Sequence, residues 1–77
     1  MKKKVINILQ EIRPEFDFTQ DINFIEEGML DSFDIISLVT TLDEQFNISI
    51  DGMEIVPENF ISVDSMVNLL IKSGAKK

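Results

Sequence analysis

A chain of 77 residues with a net charge of -7, no cysteine and no histidine excludes several functions before any motif is read. It is long enough for one small domain whose single core leaves only ~3–5 kcal/mol of stability, and it lacks the thiols for a disulfide or a thiolate metal site. From Pro14 through Ile71 there are thirteen Asp and Glu and no Lys or Arg, all seven bases lying in the terminal segments, so the basic footprint that nucleic-acid phosphates require is missing.

The 44% hydrophobic content is periodic, which predicts a folded chain. The opening Met1-Lys2-Lys3-Lys4-Val5 begins like a signal peptide, but Asn7, Gln10, Glu11 and Arg13 interrupt the apolar run and no small-residue cleavage site follows. No segment approaches the ~20 apolar residues of a membrane span. A soluble, cytoplasmic protein is expected.

Val5, Ile8, Leu9 and Ile12 recur at helical spacing, and Pro14 disfavours helical geometry at Arg13, which predicts a first helix over about 3–13. Between Pro14 and Leu30 no period is sustained, yet Phe16, Phe18, Ile22, Phe24, Ile25 and Leu30 predict a long loop packed onto the core. Ordered loops of that length are often functional.

The strongest helical pattern follows, over 32–46, where Ile35, Leu38, Val39, Leu42 and Phe46 form one apolar stripe. Asp31 fits the N-cap, and Asp34 at the third helical position suits the helix dipole. Phe33, Ile36, Ser37, Thr40 and Glu44 share a second face at spacings of three and four, turned away from the stripe. Two large apolar residues beside acids read as a docking surface, although isolated surface hydrophobics are ordinary. The acidic middle points to partners with positive patches, against the plainer reading of acidity as a solubility device.

The segment 47–56 carries conflicting signals. Ile48, Ile50, Met53 and Ile55 flank Asp51-Gly52 as a hairpin would, but a lone hairpin is marginal and no other strand is predicted, so a packed, extended loop is expected. Asn47, Ser49, Asp51, Gly52 and Glu58 also fall at positions 1, 3, 5, 6 and 12 of a calcium-loop template. Asn at the first position, Glu54 where an apolar residue belongs and Pro57 in the exit helix all count against it, leaving calcium binding a remote alternative and no metal site expected. Pro57 through Ile61 predicts a short helix with Phe60 inward. Ser62 caps a last helix over 63–73, with Val63, Met66, Val67 and Leu70 apolar, Gly74 as a stop and Lys72, Lys76 and Lys77 as a basic tail.

The stretch Asp31-Ser32-Phe33-Asp34 brings one serine hydroxyl to the start of the second helix. A serine nucleophile normally needs a neighbouring base, and this chain has no His, no Cys, no Lys in its middle and no glycine-rich phosphate loop. A self-sufficient hydrolase or nucleotide enzyme is therefore excluded, and the hydroxyl reads as a substrate for another enzyme that supplies base and magnesium. A helix N-terminus favours a phosphate there, while Asp31 and Asp34 repel one, which assigns those acids to recognition by a basic partner. The plain alternative is an ordinary capped helix start.

The run Glu26-Glu27-Gly28-Met29-Leu30-Asp31-Ser32-Phe33 resembles the prosthetic-group site of the acyl and peptidyl carrier protein family, and the resemblance extends over about residues 5–71. It implies an all-α, small four-helix bundle with three longer helices and one short, built as a single carrier domain over 1–77. It implies a non-catalytic carrier in which Ser32 bears a 4'-phosphopantetheine arm derived from coenzyme A, Asp31, Phe33 and Asp34 being the flanking motif. Acyl or aminoacyl groups would ride the arm as thioesters. Partners implied are a phosphopantetheinyl transferase, a loading ligase and downstream acyl-transfer enzymes with basic docking surfaces, meeting Phe33, Ile36, Ser37, Thr40 and Glu44 of a monomer. Phe33 departs from the commoner Leu of the motif. The spacing Glu-Gly-x-x-Asp-Ser-Phe is also similar to D-alanyl carrier proteins, whereas Asn59-Phe60-Ile61-Ser62-Val63 lacks the tryptophan pattern of that subgroup, and acyl versus aminoacyl cargo stays open. A long acyl chain would need a cavity between Leu38, Val39, Leu42 and the last helix. An unmodified carrier-like docking module is the main alternative.

Overall fold

The computed structural model describes residues 1–76; Lys77, read above as part of the basic tail, lies outside the described residues. Three α-helices carry the fold: α1 (Lys2–Ile12), α2 (Ser32–Phe46) and α3 (Val63–Lys72), with short 3-10 turns at Gly52–Glu54 and Pro57–Phe60. No strand occurs among the described residues.

Helix α1 buries Val5, Ile8 and Leu9 against both other helices and ends when Arg13 turns to φ -133°, ψ 77° ahead of Pro14. Helix α2 buries Ile35, Leu38, Val39 and Leu42, the stripe its 3.6-residue period aligns. It stops at Asn47, which adopts the left-handed conformation (φ 54°). The last turn of α2 contains no base of its own, and the Lys4 ammonium from α1 lies 5.3 Å above the Phe46 ring there, a cation on an aromatic face beside the negative end of the helix dipole.

The connection 14–30 is a loop with a core of its own. Phe18 and Phe24 are fully buried and meet edge to face at 5.0 Å, with Phe16 against Phe18 at 6.4 Å. The Phe24 N–H donates to the Ile61 carbonyl at 2.8 Å, and the Phe24 carbonyl accepts from Met29 and Leu30 at 2.9 and 3.3 Å. Gly28 permits that reversal at φ +73°, a conformation that costs a residue with a Cβ but not glycine.

The hairpin signal in 47–56 is not realised. Ile50 is buried and gives its N–H to the Asp43 carboxylate at 3.0 Å, which ties the segment back to α2, and Asp51 accepts from Met53 N–H to start a 3-10 turn instead. The helix expected over 57–61 is likewise a 3-10 turn, Pro57–Phe60, with Phe60 fully buried. Ser62 is already extended as the cap of α3, so too few residues remain for a helix closed by i to i-4 bonds, and i to i-3 closure fits short pieces. The structure thus has three α-helices and a 3-10 turn where a fourth helix was expected. Helix α3 opens with a reciprocal Ser62/Ser65 capping box and buries Met66, Leu69 and Leu70, while Val63 and Val67 are half-buried. Gly74, at φ +104°, follows its end.

Candidate functional site

Ser32 is the first residue of α2 and is exposed. Its hydroxyl has no hydrogen-bond partner among the described residues. Around it the backbone is fixed by a reciprocal capping box: Asp31 Oδ1 accepts from the Asp34 N–H at 2.9 Å, and Asp34 Oδ2 accepts from the Asp31 N–H at 3.1 Å. The second carboxylate of the box is nearly buried, its side chain only 12% exposed.

Arg13, from the end of α1, closes over this turn. Its Nε–H donates to Asp34 Oδ2 at 2.9 Å, Nη2 to Asp31 Oδ2 at 3.3 Å and Nη1 to Glu15 at 3.3 Å. The Asp34 amide holds the Asp31 carboxyl below its ordinary range against an opposing cost of desolvation, and the Arg13 charge adds a lesser lowering. The hydrogen bond to Asp34 in turn raises Arg13 above the usual guanidinium range. Asp34 is thus engaged within the chain, while Asp31 keeps an exposed carboxylate.

The remaining predicted positions lie on the solvent side of α2. Phe33 is 81% and Ile36 62% exposed, and Ser37, Thr40 and Glu44 are exposed beside them, the Thr40 hydroxyl donating to the Ile36 carbonyl at 3.2 Å. Two neighbours were missed. Met53 is 86% exposed and Val56 partly so, on the segment whose Ile55 and Pro57 face α2. Between the two elements runs a groove of about 230 Å³ lined by Ser32, Ile35, Ile36, Ile55 and Pro57. No local pattern marks Met53 and Val56, since whether an apolar side chain beside Asp51-Gly52 faces solvent depends on the 3-10 turn that forms there.

Ser32 carries the sole hydroxyl on that groove. Arg13 bonds the carboxylates on both sides of Ser32, but a guanidinium stays protonated and cannot remove a proton. The site therefore presents an oxygen nucleophile without the means to activate it. No cluster of three or more His, Cys, Asp or Glu suited to a metal occurs among the described residues.

A family model described as "phosphopantetheine attachment site" matches residues 3–70. The chain belongs to the phosphopantetheine-attachment family. A D-alanyl carrier protein of Bacillus velezensis is 30% identical over 71 residues, covering 90% of this chain and 91% of the relative. The prosthetic group of the family is a covalently attached 4'-phosphopantetheine, and carriers of this kind are generally non-catalytic. The residues present fit such a group: an exposed, unpartnered hydroxyl at a helix N-terminus suits a phosphodiester, and the apolar groove beside it suits the arm. No helix among the described residues is long and apolar enough to cross a membrane.

Proposed function

We propose that this carrier domain, spanning 1–77, bears its 4'-phosphopantetheine on Ser32 and carries acyl or aminoacyl groups as thioesters. The observation that carries the proposal is the Ser32 hydroxyl, exposed and unpartnered on the rim of an apolar groove in a chain matched by the attachment family. Ser32 Oγ attacks the phosphorus that bears the pantetheine arm in coenzyme A, giving its proton to a base on the phosphopantetheinyl transferase. The phosphodiester forms as the pyrophosphate bond breaks and adenosine 3',5'-bisphosphate leaves, with the metal also supplied by that enzyme. When attached, the arm supplies a terminal thiol for the cargo. The capping box and Arg13 orient Ser32, and the groove shelters the stretch of arm nearest to it.

The 3-10 turn Pro57–Phe60 takes the place of the short third helix of a carrier-type four-helix bundle in this reading. The name of the D-alanyl carrier relative supports the aminoacyl class. Loading and acceptor enzymes dock on Phe33, Ile36, Ser37, Thr40 and Glu44, joined by Met53 and Val56. With no Lys or Arg from 14 to 71, their complementary surfaces are basic.

The test is the intact mass of the purified chain before and after incubation with coenzyme A, magnesium and a broad-specificity phosphopantetheinyl transferase, alongside Ser32→Ala. One added phosphopantetheine in the parent and none in the variant is the expected result. No gain by a folded, initially unmodified parent would favour an unmodified docking module.

A further inference from the structure

We propose that Arg13 is a positioning residue for the modification of Ser32, an inference that rests on reading Ser32 as the attachment point. Arg13 is the only base between Lys4 and Lys72, and the structure commits it to the turn that presents the hydroxyl. Its backbone is held at both sides, by an N–H donated to the Leu9 carbonyl at 2.9 Å and by Pro14, which keeps Arg13 out of the helical region. The guanidinium therefore leaves the end of α1 toward α2 rather than continuing along the helix.

Its main contact is with the oxygen that closes the capping box. Asp34 Oδ2 accepts from both the Asp31 N–H and Arg13 Nε–H, so Arg13 sets where that oxygen sits, and the oxygen sets the backbone immediately before Ser32. Without Arg13, a nearly buried carboxylate would keep one donor and face the like charge of Asp31. Turning toward water would relieve both problems and would open the box. The fork geometry allows Arg13 to reach Asp34 and Asp31 with different nitrogens at once, which an ammonium cannot copy with the same planarity.

Charge adds a second contribution. A phosphodiester on Ser32 places a further anion next to two carboxylates, and the Arg13 guanidinium is the positive charge nearest to offset it. Glu15 accepts from the remaining nitrogen of the fork at 3.3 Å.

A docking role and a positioning role predict opposite signs. Removing Arg13 makes the chain more acidic, which would strengthen attraction to a basic transferase, whereas loss of positioning slows the transfer step itself. The experiment compares the parent, Arg13→Ala and Arg13→Lys, each verified as folded by circular dichroism at the assay temperature. Steady-state transfer is measured with the carrier as the varied substrate, and amide hydrogen exchange is followed at Asp34 and Ile35. For Arg13→Ala, kcat is expected to fall about fivefold to tenfold with KM unchanged or lower, and Arg13→Lys to recover part of the loss. The Asp34 and Ile35 amides are expected to exchange faster in Arg13→Ala while those of Leu38 through Leu42 keep the parental rate. An unchanged kcat in folded Arg13→Ala, a rise confined to KM, or unchanged exchange at Asp34 would overturn the proposal. A parent chain that gains no mass overturns the attachment reading itself, so the two failures are told apart by the control.

Discussion

Arg13 and Asp34 stand 21 positions apart in the chain and meet at 2.9 Å, joining the end of α1 to the first turn of α2 across the mouth of the long loop. The pair is half sheltered rather than exposed, since the Asp34 side chain is 12% and the Arg13 side chain 34% accessible. It combines a helix cap and an interhelical tie in one carboxylate.

Asp34→Ala removes both functions of that group. The loss of the reciprocal cap and of the charged hydrogen bond should cost about 1–2 kcal/mol, with Asp34→Asn losing less because an amide oxygen can still accept from Asp31. Urea unfolding checks this: the midpoint should fall at constant slope. A midpoint within error of the parent would mean that the box is not holding α2.

Acid should weaken the fold from a defined side. Asp31 is held low by the Asp34 amide with Arg13, Glu54 by Lys72 and Asp17 by Thr19. Groups whose folded pKa is depressed stabilise above their unfolded pKa of about 4 and lose that contribution as pH falls through the lower folded values. Lys2, raised by Asp64, acts at the other limit: its contribution is present below an unfolded pKa of about 10.4 and is lost as pH rises through the folded value. Tm measured against pH should be level across neutrality and drop below about pH 4, less steeply in high salt. An acid limb as steep in Asp31→Asn as in the parent would remove Asp31 from the account.

Phe33→Ala and Ile36→Ala should separate docking from stability. Both side chains face solvent, so each change should leave unfolding free energy within about 0.5 kcal/mol. The KM of the chain as substrate for a phosphopantetheinyl transferase should rise about fivefold to thirtyfold if these residues anchor the partner. Stability lost with KM unchanged would assign the pair to the fold instead.

Leu42→Ala tests the opposite case. Leu42 is fully buried in the shared core, and truncation of such a leucine costs about 2–5 kcal/mol. That is comparable to the whole stability of a domain this small, roughly 3–5 kcal/mol, so the variant should be largely unfolded at 37 °C by far-ultraviolet circular dichroism. A cooperative transition near the parental Tm would point to a core that refills the space.

What could be read from the sequence was whatever repeats. The buried positions of α1 and α2 follow a 3.6-residue period, and the Asp31 cap and the Gly74 stop are local signals at the helix ends. The acyl-carrier resemblance started from the run around Ser32 and extended over about residues 5–71, and the family match covers residues 3–70. Arg13 was grouped with the terminal bases because its partners are 18 and 21 residues away, a pairing that no local pattern encodes. Leu69 was left out of the α3 stripe although it is buried and stands at i+3 from Met66, a position that the helix period does place on the buried face. Met53 was counted among the apolar residues of a packed, extended loop, whereas it stands exposed in a 3-10 turn.

The backbone of Phe24 sets unequal tolerance to insertion along the loop. Its N–H is bonded to Ile61 and its carbonyl receives Met29 and Leu30, so from that residue onward the path to Ser32 has a fixed length. Upstream, around Thr19 to Asp21, the side chains are exposed and extra residues would bulge into solvent. The same loop thus has one stretch in which the register can drift and another that works as a ruler, measuring the distance from a buried phenyl ring to the Ser32 hydroxyl.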